Sequence, residues 1–237
     1  MRTTLWLVRH GQAGQHPEAY DQLSDLGQLQ SQRLAAHWLA HEQHFAACCS
    51  GQLVRQQRTL ATIREQFATA GRPLTEPSEW PELDEYRFDA LVRGLVEVDP
   101  SEPALQALLQ SPTDRRHWIP ALRAALLAWG EGRLDAHVPE PYPQFRQRIE
   151  RLAERLREQA RATEGPILAV SSGGVISAFI QQSLGAPAAA AVDLNLALRN
   201  SAVVTFGLDS AGRWHLQSFN ALPHLNEPAD RNLWTLI

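Results

Sequence analysis

Leu5-Trp6-Leu7-Val8-Arg9-His10-Gly11 is the stretch that decides the fold. Four consecutive apolar residues, bounded by polar ones, read as a short strand buried on both faces, the pattern of a parallel sheet. The switch to Arg9-His10-Gly11 puts a cation, an imidazole and a glycine at the strand's carboxyl end, where open α/β sheets bind ligands. Pro166-Ile-Leu-Ala-Val170 repeats the arrangement and runs into Ser171-Ser172-Gly173-Gly174. Phe45-Ala-Ala-Cys-Cys49 is a third such run, leading through Ser50-Gly51 towards Arg55.

Helical patterns separate these strands. Ser24-Asp25 caps a predicted helix that turns Leu26, Leu29, Leu34, Trp38 and Leu39 inward. A second is expected from about Leu53 to Ala70, closed by Gly71-Arg72-Pro73. A long helix starts at Pro143 and another follows Gly173-Gly174. Two strands, Ser201–Phe206 and Trp214–Phe219, close the chain around the turn-like Asp209-Ser-Ala-Gly212. Alternating strands and helices predict an α/β fold: a three-layer α/β/α sandwich with a largely parallel central sheet. Residues 73–143 are less regular, with helical pieces at Ala104–Leu109 and Ile119–Trp129. They read as a helical insertion over the active-site end of one domain spanning 1–237.

Composition narrows the chemistry. The chain has 237 residues, 44% of them hydrophobic, enough for a sizeable core. A net charge of -4 gives no basic field for nucleic acid. All 22 basic residues are arginine. An anion site must therefore use arginine, histidine, backbone N–H groups or neutral donors, and Schiff-base lysine chemistry is excluded. Cys48 and Cys49 are adjacent, which excludes a disulfide framework. The first apolar run is too short for a signal peptide, and no run approaches a membrane span. The expectation is a cytoplasmic protein without membrane or nucleic-acid partners.

Phosphoryl transfer needs an in-line nucleophile, positive charge around the equatorial oxygens and a proton for the leaving oxygen. His10 fits the first role if one ring nitrogen is free and the other is held. Arg9 and Arg55 offer forked donors, and the glycine-opened helix at Gly173 offers backbone N–H groups. Glu85 is the candidate acid, its pKa raised by a neighbouring phosphate. The plainer alternatives are that Arg55 and Arg58 face solvent and that Glu82-Leu-Asp-Glu85 is a solvated surface. His37, His41 and His44 have helical spacing, but no carboxylate or cysteine stands at ligand spacing beside them. They read as surface residues, and no metal or cofactor is expected.

The same segments, in order, resemble the histidine phosphatase superfamily, the phosphoglycerate mutase-like fold. Leu7-Val-Arg-His-Gly-Gln-Ala13 resembles its opening R-H-G segment, and Leu23-Ser-Asp-Leu-Gly-Gln-Leu-Gln30 its L-[ST]-x-x-G-x-x-Q segment. Ser50-Gly-Gln-Leu-Val-Arg-Gln-Gln-Arg-Thr59 is loosely similar to S-x-L-x-R-A-x-Q-T, with an extra residue before Leu53 and Arg58 for the usual glutamine. Leu83-Asp-Glu-Tyr86 resembles the L-x-E segment. The resemblance implies that His10 is transiently phosphorylated, that Arg9 and Arg55 clamp the phosphoryl group and that Glu85 protonates the leaving group. It also implies that His224, in Pro223-His-Leu225, is structural.

One departure matters. The family's second catalytic histidine lies in an S-H-G-G segment, and Ser172 stands in its place. Ser172 is either a plain N-cap of the next helix or a phosphate ligand acting with Gly173 and the helix N–H groups. Losing one preorganised donor costs about 10²–10³ in rate, so turnover is expected to be slow. His16 is a possible substitute imidazole. Gln12 and Arg87, with Arg93, are candidates for the non-reacting part of a substrate. The expected function is a phosphatase on a small phosphorylated metabolite or a phosphoprotein. The alternatives are a non-catalytic phosphate-binding or interaction protein and a phosphoglycerate-type mutase.

Overall fold

A computed structural model describes residues 3–14 and 21–236. Six strands, β1 (Thr3–Arg9), β2 (Ala47–Ser50), β3 (Ser78–Glu79), β4 (Ile167–Ser171), β5 (Val203–Leu208) and β6 (Trp214–Ala221), form one sheet in the order β3-β2-β4-β1-β5-β6. The pairs β3–β2, β2–β4 and β4–β1 are parallel; β5 runs antiparallel to β1 and to β6.

Strand alternation builds two cores. Leu5 and Leu7 of β1, with Ile167 and Ala169 of β4, face one side; Val8, Leu168 and Val170 face the other. The second side is covered by α1 (Asp25–Ala40) and α2 (Val54–Thr69), through Leu34, Trp38, Leu60, Ile63 and Phe67. The first is covered by α6 (Tyr142–Ala162) and α7 (Gly173–Leu184), through Phe145, Ile149, Leu152, Ile176 and Phe179. This is the expected sandwich. Ser24 caps α1 by accepting from Gly27 N–H at 3.1 Å.

Residues 73–143 hold α3 (Phe88–Val98), α4 (Pro103–Gln110) and α5 (Trp118–Gly130). Leu91, Leu95, Leu105 and Trp129 join the same core as the sheet residues Leu5 and Leu7. A further helix, α8 (Ala188–Ala197), packs beside α7 and α5. The sequence reading passed over α3, α8 and β3. α8 is apolar on nearly every face and β3 has two exposed residues, so neither carries a clean period; α3 does carry one, burying Ala90, Leu91, Gly94 and Leu95 along one face, and the reading of this segment as irregular missed it.

The parallel ladder aligns the strand ends. His10 N–H donates to Ser171 O at 2.9 Å, Gly51 N–H to Val170 O at 3.2 Å and Trp80 N–H to Ser50 O at 2.8 Å. The loops after β1, β4, β2 and β3 thereby open at one edge of the sheet. Cys48 and Cys49 are buried and form no disulfide, and burial pushes the Cys48 thiol up to about 11. No helix among the described residues is long and apolar enough to cross a membrane.

Candidate functional site

His10 leaves β1 buried, and both ring nitrogens are engaged. Nδ1 lies 2.7 Å from Gly11 O, which can only accept, so Nδ1 carries the proton. Nε2 is then the lone-pair nitrogen, and it accepts from Arg55 Nε at 3.1 Å. The ring's pKa lies well below the ordinary histidine value. Burial is the main cause, followed by the charges of Arg55 and Arg9; the Gly11 bond pulls weakly the other way. His10 is thus a neutral imidazole with its lone pair turned towards a guanidinium.

Arg55 sits in the first turn of α2 and is buried, not solvent-facing. Its Nη1 pairs with Asp21 Oδ1 at 2.8 Å, while Asp21 Oδ2 accepts from Val54 N–H at 3.0 Å. One carboxylate therefore caps α2 and orients the arginine. Thr59 Oγ1 accepts from Gly11 N–H at 3.0 Å and donates to Arg55 O at 2.8 Å, fastening α2 to the loop after β1. Arg58 is the exposed one of the pair. Arg9 donates from Nη1 to Leu198 O at the end of α8.

Glu85 lies opposite. Its Oε2 accepts from Gly174 N–H at 3.0 Å and its Oε1 from Tyr86 N–H at 3.2 Å. Desolvation raises its pKa, against the two N–H groups and the charges of Arg55 and Arg9. The segment before it is anchored, not solvated: Leu83 is fully buried, and Leu83 O accepts from Ser171 Oγ at 2.7 Å and Gln56 Nε2 at 3.0 Å. Arg148 Nη1 donates to Glu82 O and Asp84 O. Gly174 has to be glycine here, because a Cβ would lie 2.0 Å from Tyr86 Cε1 and 2.4 Å from Glu85 Oε1.

Ser172 stands at the N-cap of α7 with extended backbone, but its hydroxyl makes no capping bond. This corrects the plain N-cap reading. The Gly174 N–H is taken by Glu85, so this one of the helix N–H groups does not stand open to an anion. Ser172 Oγ instead accepts from Gln56 Nε2 at 2.8 Å. Gly173 borders Arg9: a Cβ there would lie 3.7 Å from Arg9 Cζ and 2.2 Å from Asn195 Oδ1. Asn195 Nδ2 donates to Tyr86 OH at 2.8 Å.

A second tier fixes His10 from behind. Ser201 N–H and Asn200 Nδ2 donate to His10 O. Asn200 Oδ1 accepts from Thr235 Oγ1, which itself accepts from Gln30 Nε2; Gln30 Oε1 accepts from Gln12 N–H. His224 Nε2 lies 2.9 Å from Ser201 Oγ, and burial takes its pKa down to about 3, as suits a structural histidine. Gln12 is buried, its Oε1 accepting from Ser24 Oγ at 3.1 Å. Arg87 is exposed and, with Arg93, pairs with Asp89. The His37 and His41 rings lie 4.2 Å apart at the end of α1, and no cluster of three or more metal-type ligands occurs among the described residues. His16 lies outside the described residues.

Sequence reasoning missed Asp21, Gln56 and Asn195. Gln56 left a signal: the segment it belongs to resembles R-A-x-Q-T, and the position of the small alanine carries a long amide here.

The family model described as histidine phosphatase superfamily (branch 1) matches residues 5–222. The chain belongs to this superfamily. Solved structures share the fold. The alpha-ribazole phosphatase from Shigella flexneri is 23% identical, with 92% of this chain and 96% of that one covered and a TM-score of 0.59. A mycobacterial glucosyl-3-phosphoglycerate phosphatase in complex with inorganic phosphate is 22% identical, covering 95% and 100%, at 0.62. Phosphoglycerate mutase from Bacillus anthracis str. Sterne is 17% identical, covering 94% and 95%, at 0.63. No curated protein matches the sequence significantly.

Proposed function

We propose that this histidine phosphatase superfamily member is a phosphomonoesterase that forms a phosphohistidine at His10. The observation that carries the reading is the neutral imidazole whose Nε2 lone pair faces Arg55 and whose Nδ1 proton is held by Gly11 O. A histidine that stayed protonated could not attack phosphorus; burial beside two arginines keeps this one neutral.

A phosphoryl dianion entering the site takes over the Nε–H donor that Arg55 now gives to His10, with Arg9 nearby. His10 Nε2 attacks phosphorus in line as the ester P–O bond breaks. The leaving oxygen takes its proton from Glu85, whose raised pKa keeps that proton available. The resulting Glu85 carboxylate then takes a proton from water as the water attacks phosphorus. The P–N bond breaks, inorganic phosphate leaves, and His10 and Glu85 return to their starting forms. The substrate is a small phosphorylated metabolite or a phosphoprotein. Gln12 and Arg87 are candidates for touching its remainder, Gln12 through its place beside the loop and Arg87 as an exposed cation two residues after Glu85.

Phosphate release from a panel of phosphomonoesters tests this. Wild type is expected to release phosphate, and His10→Ala to lose at least about 10³ of the rate. Turnover untouched by His10→Ala would overturn the mechanism. A chain that binds phosphate but never releases it from an ester would be a non-catalytic binder.

A further inference from the structure

We propose that Gln56 is a positioning residue that acts through Ser172: the two form one neutral donor unit that aims the serine's O–H at the anion held by His10. The inference rests on the anion site proposed above and adds a residue and a charge state to it.

The amide orientation follows from chemistry. Leu83 O can only accept, so the Gln56 atom 3.0 Å from it must be nitrogen. The second hydrogen of that same Nε2 points to Ser172 Oγ at 2.8 Å. Both amide hydrogens are thus used, and Ser172 Oγ is the acceptor of the pair. Its own hydrogen must point elsewhere, and it has no acceptor among the described residues.

Burial makes this unspent donor significant. Gln56 is 0% exposed and Ser172 1%, so bulk water does not satisfy the hydroxyl. Ser172 follows β4 directly, where Ser171 pairs in register with Arg9 and receives the His10 N–H. The donor therefore stands at the strand end beside the nucleophile. Gln56 Oε1 also has no partner among the described residues, so the amide is oriented for its donors alone. Gln56 in turn ties Ser172 to Leu83, two residues before Glu85, which links the anion donor to the placement of the acid. The unit carries no charge and no titrating group, unlike an imidazole.

The test is calorimetric titration of the full chain with orthovanadate, a phosphoryl mimic, with thermal unfolding followed in parallel. Removing a donor to a charged acceptor by Ser172→Ala should weaken vanadate binding roughly 10–100-fold, by the same factor from pH 6 to 9. Ser172→Thr keeps the hydroxyl and should stay within about threefold of wild type, well inside one donor's worth. Gln56→Met should lose most of the Ser172→Ala factor, and the double variant should bind no worse than Ser172→Ala alone. Should Gln56→Met not fold, Gln56→Glu keeps the shape, turns the serine proton towards itself and should bind at least as poorly as Ser172→Ala. Losses that multiply in the double variant, Gln56 variants that bind like wild type, or a wild type that ignores vanadate would each overturn the proposal. Vanadate binding with this pattern but no phosphate release would instead overturn the phosphatase reading and leave the donor unit standing.

Discussion

The carboxyl ends of β1 and β4 lie side by side, yet one is cationic and the other neutral. At β1, His10 is enclosed by Arg55 and Arg9, and Asp21 holds Arg55 in place. At β4, the strand runs into Ser172, Gly173 and Gly174, with Gln56 behind the serine and Glu85 on the Gly174 N–H. The two adjacent strand ends thus differ in character: positive charge on one side, neutral donors and a carboxyl whose pKa is raised by burial on the other. Only the first can balance a phosphoryl dianion electrostatically, so the larger effects are expected there.

Arg55 is the strongest lever after His10 itself. Arg55→Ala should lower kcat/KM by about 10²–10³, because it removes a forked donor and the charge beside Nε2. Arg55→Lys should recover little, since an ammonium cannot bridge Asp21 and the phosphoryl group in the same geometry. Full rescue by lysine would show that charge alone matters on the β1 side.

Glu85 probes the β4 side. Glu85→Gln should cost about 10²-fold on an alkyl phosphate and only a few-fold on an aryl phosphate, whose leaving group needs no proton. The raised pKa fixes two signs. Activity should fall as pH rises through the Glu85 pKa, giving an alkaline limb that Glu85→Gln removes. The folded chain also binds that proton more tightly than the unfolded one, so stability drops as pH rises from 4.5 through the folded value. Glu85→Gln should therefore raise Tm at neutral pH while lowering kcat. An unchanged or lower Tm would show that the carboxylate's bonds to Gly174 and Tyr86 outweigh its desolvation.

How much of this was legible in the sequence differs between the two sides. The strands β1 and β4 announce themselves as apolar runs, and Arg9, His10, Arg55 and Glu85 stand in motif order, so the cationic half and the acid across from it could be read directly. Ser172 was visible as a departure, but its partner was not. Gln56 lies 116 residues away on α2, and only the three-dimensional crossing of α2 over β4 brings the amide to the hydroxyl. The same holds for Asn195 and Leu198: they reach the site from α8, whose nearly continuous apolar sequence carries no periodic signal. Asp21 reads as an ordinary loop carboxylate until its bonds to Val54 and Arg55 are seen.

Asp21 gives the smallest of the three expected effects. Asp21→Asn keeps an acceptor but loses the ion pair, and a partly exposed pair is worth about 1 kcal/mol or less, so kcat/KM should fall a few-fold. The retained Oδ1 can still accept from Val54 N–H, so stability, read by thermal unfolding, should fall by no more than the ion pair contributes. A loss as large as that of Arg55→Ala would move Asp21 from orienting the clamp to being part of it.

The most direct measurement of the central claim is a rapid acid-free quench of the enzyme with a radiolabelled phosphomonoester, followed by digestion and mapping of the label. The account predicts an acid-labile, base-stable label on the peptide containing His10, present in wild type and absent from His10→Ala. Label on any other residue, or phosphate release from wild type with no labelled protein even when hydrolysis is slowed by Glu85→Gln, would contradict it.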